Sequence, residues 1–409
     1  MAADAEPVSV PRTLTRREAF QMAAGAAAVA TVARTSPADA AARRSPGAFD
    51  PVAAAADRLI ADGVAPGLSV AVMKAGQLAF VRGFGQANLE TSTPVTPESV
   101  FHVGSVTKQF TATALALLAE DGKLSLDDRL SRFLPLFPRA GDVTLRQMVT
   151  HTSGLGNYTD TEPRDAFYRA ARLDYDDPHL LAAMAATAPL FKTEPGTAWA
   201  YSNTAYVLLG LVVQIAAGQK YGDFLKRRLF DPAGLTQTAV DDLAEVVPHR
   251  ANGYSKGEGG GKFRNAAFIS MTFPHAAGAL RSTPSDLCRW HAALLGGRIV
   301  RPATLKEMLT PVRLPNGELP PAPPNPMAKP DSPKTVKYGF GLMFGDFEGH
   351  EYTEHDGGIF GFLSLFRSFW PQQVTVAVLM NSDAIQSPAD YERLTDVRDA
   401  AARAALATG

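Results

Sequence analysis

Phe101-His102-Val103-Gly104-Ser105-Val106-Thr107-Lys108 opens an apolar-periodic stretch over residues 101–120, and its reading places the rest of the chain. Ser105 to Lys108 is the only S-x-x-K among the 409 residues. On a helix, positions i and i+3 share a face, with Cβ atoms about 5–6 Å apart. A lysine one turn after a serine can therefore bring its amine to the serine Oγ. A serine hydroxyl is a weak nucleophile until a neighbour takes its proton, and an unprotonated amine can be that neighbour. Alone, the pair fits a helical serine beside a surface lysine equally well. The surrounding sequence has to decide.

The length suits two domains, or one large domain carrying an insertion. A formal net charge of −1 gives no general attraction to nucleic acid or anionic lipid. Cys288 is the single cysteine, so no internal disulfide can form, and in Leu287-Cys288-Arg289-Trp290 it reads as a small buried hydrophobe. No H-E-x-x-H occurs and the eight histidines do not pair at metal-ligand spacing, so neither a metal nor a cofactor is expected. Residues 257–261 read as a glycine-rich flexible loop. They are not a phosphate cradle, because Phe263 follows Lys262 where Ser or Thr is required.

Near the N-terminus, Thr15-Arg16-Arg17 precedes an alanine-rich run over 19–33, and Ala38-Asp39-Ala40 offers an A-x-A-like cleavage site. The run is short for a membrane span. Paired arginines before a mildly apolar segment resemble a twin-arginine export signal, with a Sec signal or an uncleaved anchor as alternatives. Residues 1–42 are thus expected to direct export to the periplasm or beyond, with no stable span after cleavage.

Residues 51–62 read as a helix, and 68–74 and 77–84 as a hairpin across Ala75-Gly76. Helical patterns follow at 106–120, 145–151, 179–187, 204–217 and 224–229. The one at 204–217 is apolar nearly all round and so expected to be buried. After a helix at 284–295 and a proline-rich stretch at 314–334, strand-like runs lie at 338–344, 351–354, 361–370 and 374–381, before a final helix. Strands at both ends with a helical middle predict one sheet built from distant segments.

Two further signals join the first. Tyr201-Ser202-Asn203 is the only Y-x-N in the chain. In extended backbone residues i and i+2 point the same way, offering a phenol and an amide to one place. The plainer reading has Asn203 capping the next helix. His355-Asp356-Gly357-Gly358 places two glycines after a strand, where backbone N–H groups can approach a ligand closely or simply make a tight turn. His151 reads as a packed or capping histidine.

Together these elements closely resemble the serine β-lactamase and penicillin-binding family, in the branch of class C β-lactamases, DD-peptidases, D-aminopeptidases and related esterases. That family uses S-x-x-K, Y-x-N and [K/H]-x-G in this order. Residues 143–155 and 277–283 are similar as well. The resemblance, over about residues 50–400, implies an α/β (α+β) fold: an antiparallel sheet flanked by helices, with an all-helical subdomain beside it. The catalytic domain would span 43–409, its sheet part about 50–100 and 270–409 and its helical part about 101–269. It also implies roles. Ser105 attacks a carbonyl, Lys108 and Tyr201 carry protons, and Asn203 orients Lys108 and the substrate. The N–H groups of Ser105 and Gly358 form an oxyanion hole, and His355 and Gly357 line the opposite wall. Tyr201 is the expected base for deacylation.

Class C β-lactamases carry lysine and threonine where this chain has His355 and Asp356. A histidine, mostly neutral near pH 7, does not supply their permanent cation for a substrate carboxylate. The resemblance therefore favours an exported serine hydrolase of esters, D-amino-acid peptides or amides. A β-lactamase proper and a penicillin or cell-wall binding protein without turnover are the alternatives. The expected partner is a small-molecule or peptide substrate, not nucleic acid; the oligomeric state stays open.

Overall fold

The computed structural model describes residues 47–257, 260–323 and 333–407, so the expected export signal lies outside the described residues. Helix α1 (Asp50–Ala61) leads into β1 (Gly67–Lys74), β2 (Gln77–Asn88) and β3 (Thr93–Pro94). The C-terminal part supplies β4 (Met343–Phe347), β5 (His350–Glu354), β6 (Gly357–Ile359), β7 (Phe362–Phe369) and β8 (Val374–Met380). They form one antiparallel sheet in the order β3-β2-β1-β8-β7-β5-β4, with β6 paired to β7. At its centre Val70 faces Val378 across the β1/β8 pair, which joins the two ends of the chain.

Alternation along the central strands explains why both faces are covered. Val70, Val72, Val376 and Val378 point into one apolar layer with Val52 and Leu59 of α1 and with Leu394 and Val397 of the last helix, Pro388–Ala407. Ala71, Met73, Ala377 and Leu379 point into the other, with Phe110, Trp290 and Phe366. A strand buried on both faces reads as an unbroken apolar run, as residues 374–380 do. Each large side chain taken from water contributes about 1.5–3 kcal/mol before entropy is counted.

The second layer contains α2 (Thr107–Glu120), α3 (Asn203–Ala217) and α4 (Pro284–Leu295). Helix α3 is buried from Thr204 to Val213, as its all-round apolar sequence required. Cys288 is fully buried in α4, and burial pushes its thiol up to about 12.

Several segments differ from expectation. The stretch over 101–269 is mainly helical, yet it also holds short strands at Phe101–His102 and Ala239–Val240 and a hairpin of Tyr254–Gly257 with Gly260–Asn265. The hairpin replaces the expected glycine-rich loop. Its strands meet at the Gly257/Gly260 pair, where glycine gives no β-propensity signal. The strand expected at 338–344 begins instead at Met343, because Tyr338 and Phe340 belong to a turn tied back to Val312 and Met308.

One buried charge cluster steadies the approach to Ser105. Asp241 accepts hydrogen bonds from His102 (2.6 Å), Arg250 (2.5 and 3.0 Å) and Arg281 (2.7 Å). Burial pushes its carboxyl up, but His102 and the two guanidiniums outweigh burial and hold it well below the usual carboxylate range. Breaking such a pair by removing one partner costs about 3–5 kcal/mol, because the remaining charge stays buried. Its stabilising effect is present at neutral pH and is lost only as pH falls through that depressed value.

Candidate active site

A three-residue 3₁₀ turn, Gly104–Val106, delivers Ser105 to the N-terminus of α2. Gly104 has φ +49°, and a Cβ there would lie 2.8 Å from the Gly358 carbonyl oxygen. Only glycine lets this turn lie against β6. The other side of the contact is equally tight. A Cβ on Gly357 would sit 2.0 Å from the Val103 carbonyl oxygen and 2.4 Å from Ser364 Oγ. Ser364 Oγ in turn donates to the Val103 carbonyl at 2.8 Å.

Lys108 follows one turn later and is fully buried. Its Nζ stands 3.0 Å from Ser105 Oγ, 2.7 Å from Asn203 Oδ1 and 2.8 Å from the Ala277 carbonyl oxygen. Burial lowers its pKa well below the ordinary lysine value. A neutral amine has two N–H donors and one lone pair. In that form the two acceptors, Asn203 Oδ1 and Ala277 O, would take the donors and the lone pair would face the Ser105 hydroxyl. The arrangement can receive the serine proton without any side chain moving. The resulting ammonium would have the rings of Tyr201 at 4.8 Å and Tyr206 at 5.4 Å beside it, a favourable cation–π setting.

Tyr201 and Asn203 arrive by way of a helix cap. Ser202, not Asn203, is the N-cap of α3: its Oγ accepts from the Ala205 N–H at 3.1 Å. Its hydroxyl also donates to the Gly156 carbonyl at 2.7 Å. Asn203 is thereby left free to hold Lys108, with its Nδ2 donating to Thr159 Oγ1 at 3.3 Å. Burial raises the Tyr201 pKa and the hydrogen bond with Ser105 opposes that shift, so Tyr201 rests as a phenol.

His355 is buried and faces inward. Its Nδ1–H donates to the Asp356 carbonyl at 2.7 Å, and its Nε2 accepts from the Tyr338 hydroxyl at 3.4 Å. Burial, with Lys108 nearby, pushes its pKa down to about 3, so it carries no charge at neutral pH. Burial and the Glu354 charge raise the neighbouring Asp356 to about 6, while Arg398 and the hydrogen bond from the Tyr391 hydroxyl (2.9 Å) pull the other way.

A cavity of about 280 Å³ opens beside Ser105. Its walls include Asn203, Ala277 and Gly358, the apolar side chains Phe167, Ile269 and Phe360, and the charged Arg164 and Asp383. Ser105, Lys108, Tyr201 and Asn203 thus converge, and Gly358 shares the Ser105 cleft. Gly357 packs behind it, and His355 is not among the cavity walls. The sequence reading missed the Ala277 carbonyl, since a backbone acceptor leaves no residue-type signature. It also missed Tyr338, which has no motif around it.

A family model described as Beta-lactamase matches residues 52–400. Penicillin-binding protein 4* of Bacillus subtilis is 29% identical over 328 residues, covering 77% of this chain and 68% of that protein. D-aminopeptidase of Gluconobacter oxydans is 26% identical over 323 residues, covering 77% of this chain and 56% of that one. The crystal structure of D-amino acid amidase from Ochrobactrum anthropi SV3 complexed with D-phenylalanine superposes with a TM-score of 0.74 at 25% identity, covering 89% of this chain and 100% of that one. The motifs, the sheet that joins segments from both halves of the chain and the match over 52–400 lead to one conclusion: the chain belongs to the β-lactamase family of serine penicillin-binding and transpeptidase-like proteins.

Proposed function

We propose that this protein is a serine hydrolase that cleaves small amides or esters through an acyl-enzyme on Ser105, with D-amino-acid amides and short peptides preferred over β-lactams. The observation that carries the reading is the Lys108 amine, buried and aimed at Ser105 Oγ with both of its other donors occupied. Ser105 Oγ attacks the carbonyl as its proton passes to Lys108 Nζ. The oxyanion forms against the Ser105 and Gly358 N–H groups, and the proton reaches the leaving group through Lys108 and the Tyr201 phenol. Water, deprotonated through the same pair, then releases the acid and regenerates Ser105. Lys108 and Tyr201 act as one coupled proton store in this scheme.

The substrate preference rests on three supports. His355 offers no cation to a substrate carboxylate, the cleft beside Ser105 is largely apolar, and the relatives include a D-aminopeptidase and a D-amino acid amidase. Turnover of D-phenylalanine amide, a D-Ala-D-Ala peptide, a p-nitrophenyl ester and nitrocefin, measured in parallel, tests it. The amide and ester are expected to turn over, nitrocefin to react slowly, and fluorophosphonate to label the wild type but not Ser105→Ala. Rapid nitrocefin turnover without amidase or esterase activity would overturn the preference. Labelling without release of product would favour a binding protein.

We also propose export, on the strength of the Arg16-Arg17 pair and Ala38-Asp39-Ala40. A mature protein beginning after Ala40 in the extracytoplasmic fraction is the expected mass-spectrometric result; an intact N-terminus in the cytoplasm would refute it.

A further inference from the structure

We infer that His151 is a positioning residue that holds Tyr201 and Asn203 against Lys108; this rests on the acyl-transfer reading of the site. His151 lies just beyond the short helix Leu145–Val149 and is fully buried. Two bonds tie it to the segment carrying Tyr201. The Ala200 N–H donates to the His151 carbonyl at 2.8 Å, and the Ser202 N–H donates to His151 Nδ1 at 3.2 Å. Both chain neighbours of Tyr201 are therefore pinned to one residue. Between the pins, the imidazole lies against the Tyr201 ring with centroids 4.4 Å apart. On its other sides stand Tyr338 (4.9 Å), Tyr206 (5.0 Å) and Trp199 (5.7 Å).

Two features separate this role from plain packing. With Nδ1 accepting, the neutral ring carries its proton on Nε2. That Nε2 is buried with no hydrogen-bond partner among the described residues. A phenylalanine would fill the space without stranding a donor. What the imidazole alone supplies is the acceptor for Ser202, and through Ser202 the placement of the residues on either side of it. His151 also sits at φ +60°, a conformation that glycine adopts freely and in which Asn, Asp and His are enriched among the other residues. The backbone demand and the ring demand can thus be tested apart.

His151→Gly keeps the turn and removes both the ring and the Nδ1 acceptor, whereas asparagine would leave an amide oxygen where Nδ1 stands. We expect kcat to fall about 100-fold, the scale of a 1 Å misplacement of reacting groups, with KM within about threefold of the wild type. The groups facing Lys108 are Ser105, Asn203, the Ala277 carbonyl, the Tyr201 and Tyr206 rings, and the neutral His151 and His355. Opening the His151 side lets water reach the amine. The acid limb of the kcat/KM profile should then move to higher pH, which a loss of bulk stability alone would not do. In His151→Gly, added imidazole should restore turnover, whereas toluene, which fills the space without an acceptor, should not. Equal rescue by both, or an unshifted profile with wild-type kcat in His151→Gly, would overturn the inference. So would a nitrogen NMR spectrum of the wild-type protein placing the His151 proton on Nδ1, a measurement independent of any variant. Turnover surviving in Ser105→Ala would instead remove the reading beneath it.

Discussion

Lys108→Met is expected to lower kcat/KM about 10³–10⁴-fold while leaving a folded protein, the range that removal of a positioned general base produces. Methionine has nearly the same length and suits the buried, ring-lined site of the amine. The fold loses no charge pair among the described residues, where Nζ bonds to Asn203 and a carbonyl with no carboxylate beside it. Chemistry loses the lone pair facing Ser105 Oγ. The wild type should show the matching pH dependence. A base works when deprotonated, so activity falls as pH drops through its apparent pKa. Burial has lowered that value, so the midpoint should lie well below the lysine reference of about 10.4. Stability responds to the same shift. The folded state disfavours the ammonium, so Lys108 destabilises the fold below its lowered pKa, and that penalty fades as pH rises towards the unfolded value. In Lys108→Met the acid limb should vanish. A wild-type profile flat down to pH 5, or a methionine variant with wild-type kcat/KM, would exclude Lys108 as the base.

Gly357→Ala is expected to be the most damaging single-methyl addition near the site. The new Cβ would come within 2.0 Å of the Val103 carbonyl oxygen, which is backbone and cannot rotate away. Relief requires β6 to separate from the turn holding Ser105, and the Gly358 N–H would move with it. Overpacking of this kind costs about 1–3 kcal/mol and sometimes more. The same movement would misplace an oxyanion donor, worth about 10²–10³-fold in kcat. Urea denaturation and kcat should therefore fall together. Gly358→Ala is the useful contrast, since its nearest neighbour would be a Leu363 methyl at 3.2 Å, a side-chain atom able to shift. Equal damage from both variants would show that crowding at Val103 is not the cause.

These two positions also show what a sequence can carry. Ser105, Lys108, Tyr201 and Asn203 were legible because helix periodicity and i+2 alternation fix where short-range neighbours point. The sheet joining both chain ends was legible from its unbroken apolar strands. The cap of α3 was not, because serine and asparagine compete as neighbours and only the Gly156 carbonyl decides for Ser202. His151 was read as packing for a similar reason: its partners at 200–202 lie about fifty positions away and are joined to it mainly through backbone. His355 was legible as a departure from lysine. Its inward turn towards Tyr338 depends on a tyrosine that no motif marks.

The central β1/β8 pair has a further consequence for biosynthesis. The Gly67 N–H donates to Asn381 Oδ1 across 314 positions of sequence, so β1 leaves the ribosome long before its central neighbour exists. Until residues 374–380 have been made, β1 has only β2 beside it and one open, apolar edge, a template for pairing with other chains. The nascent chain therefore depends on whatever shields that edge, and the sheet closes only once β8 has emerged.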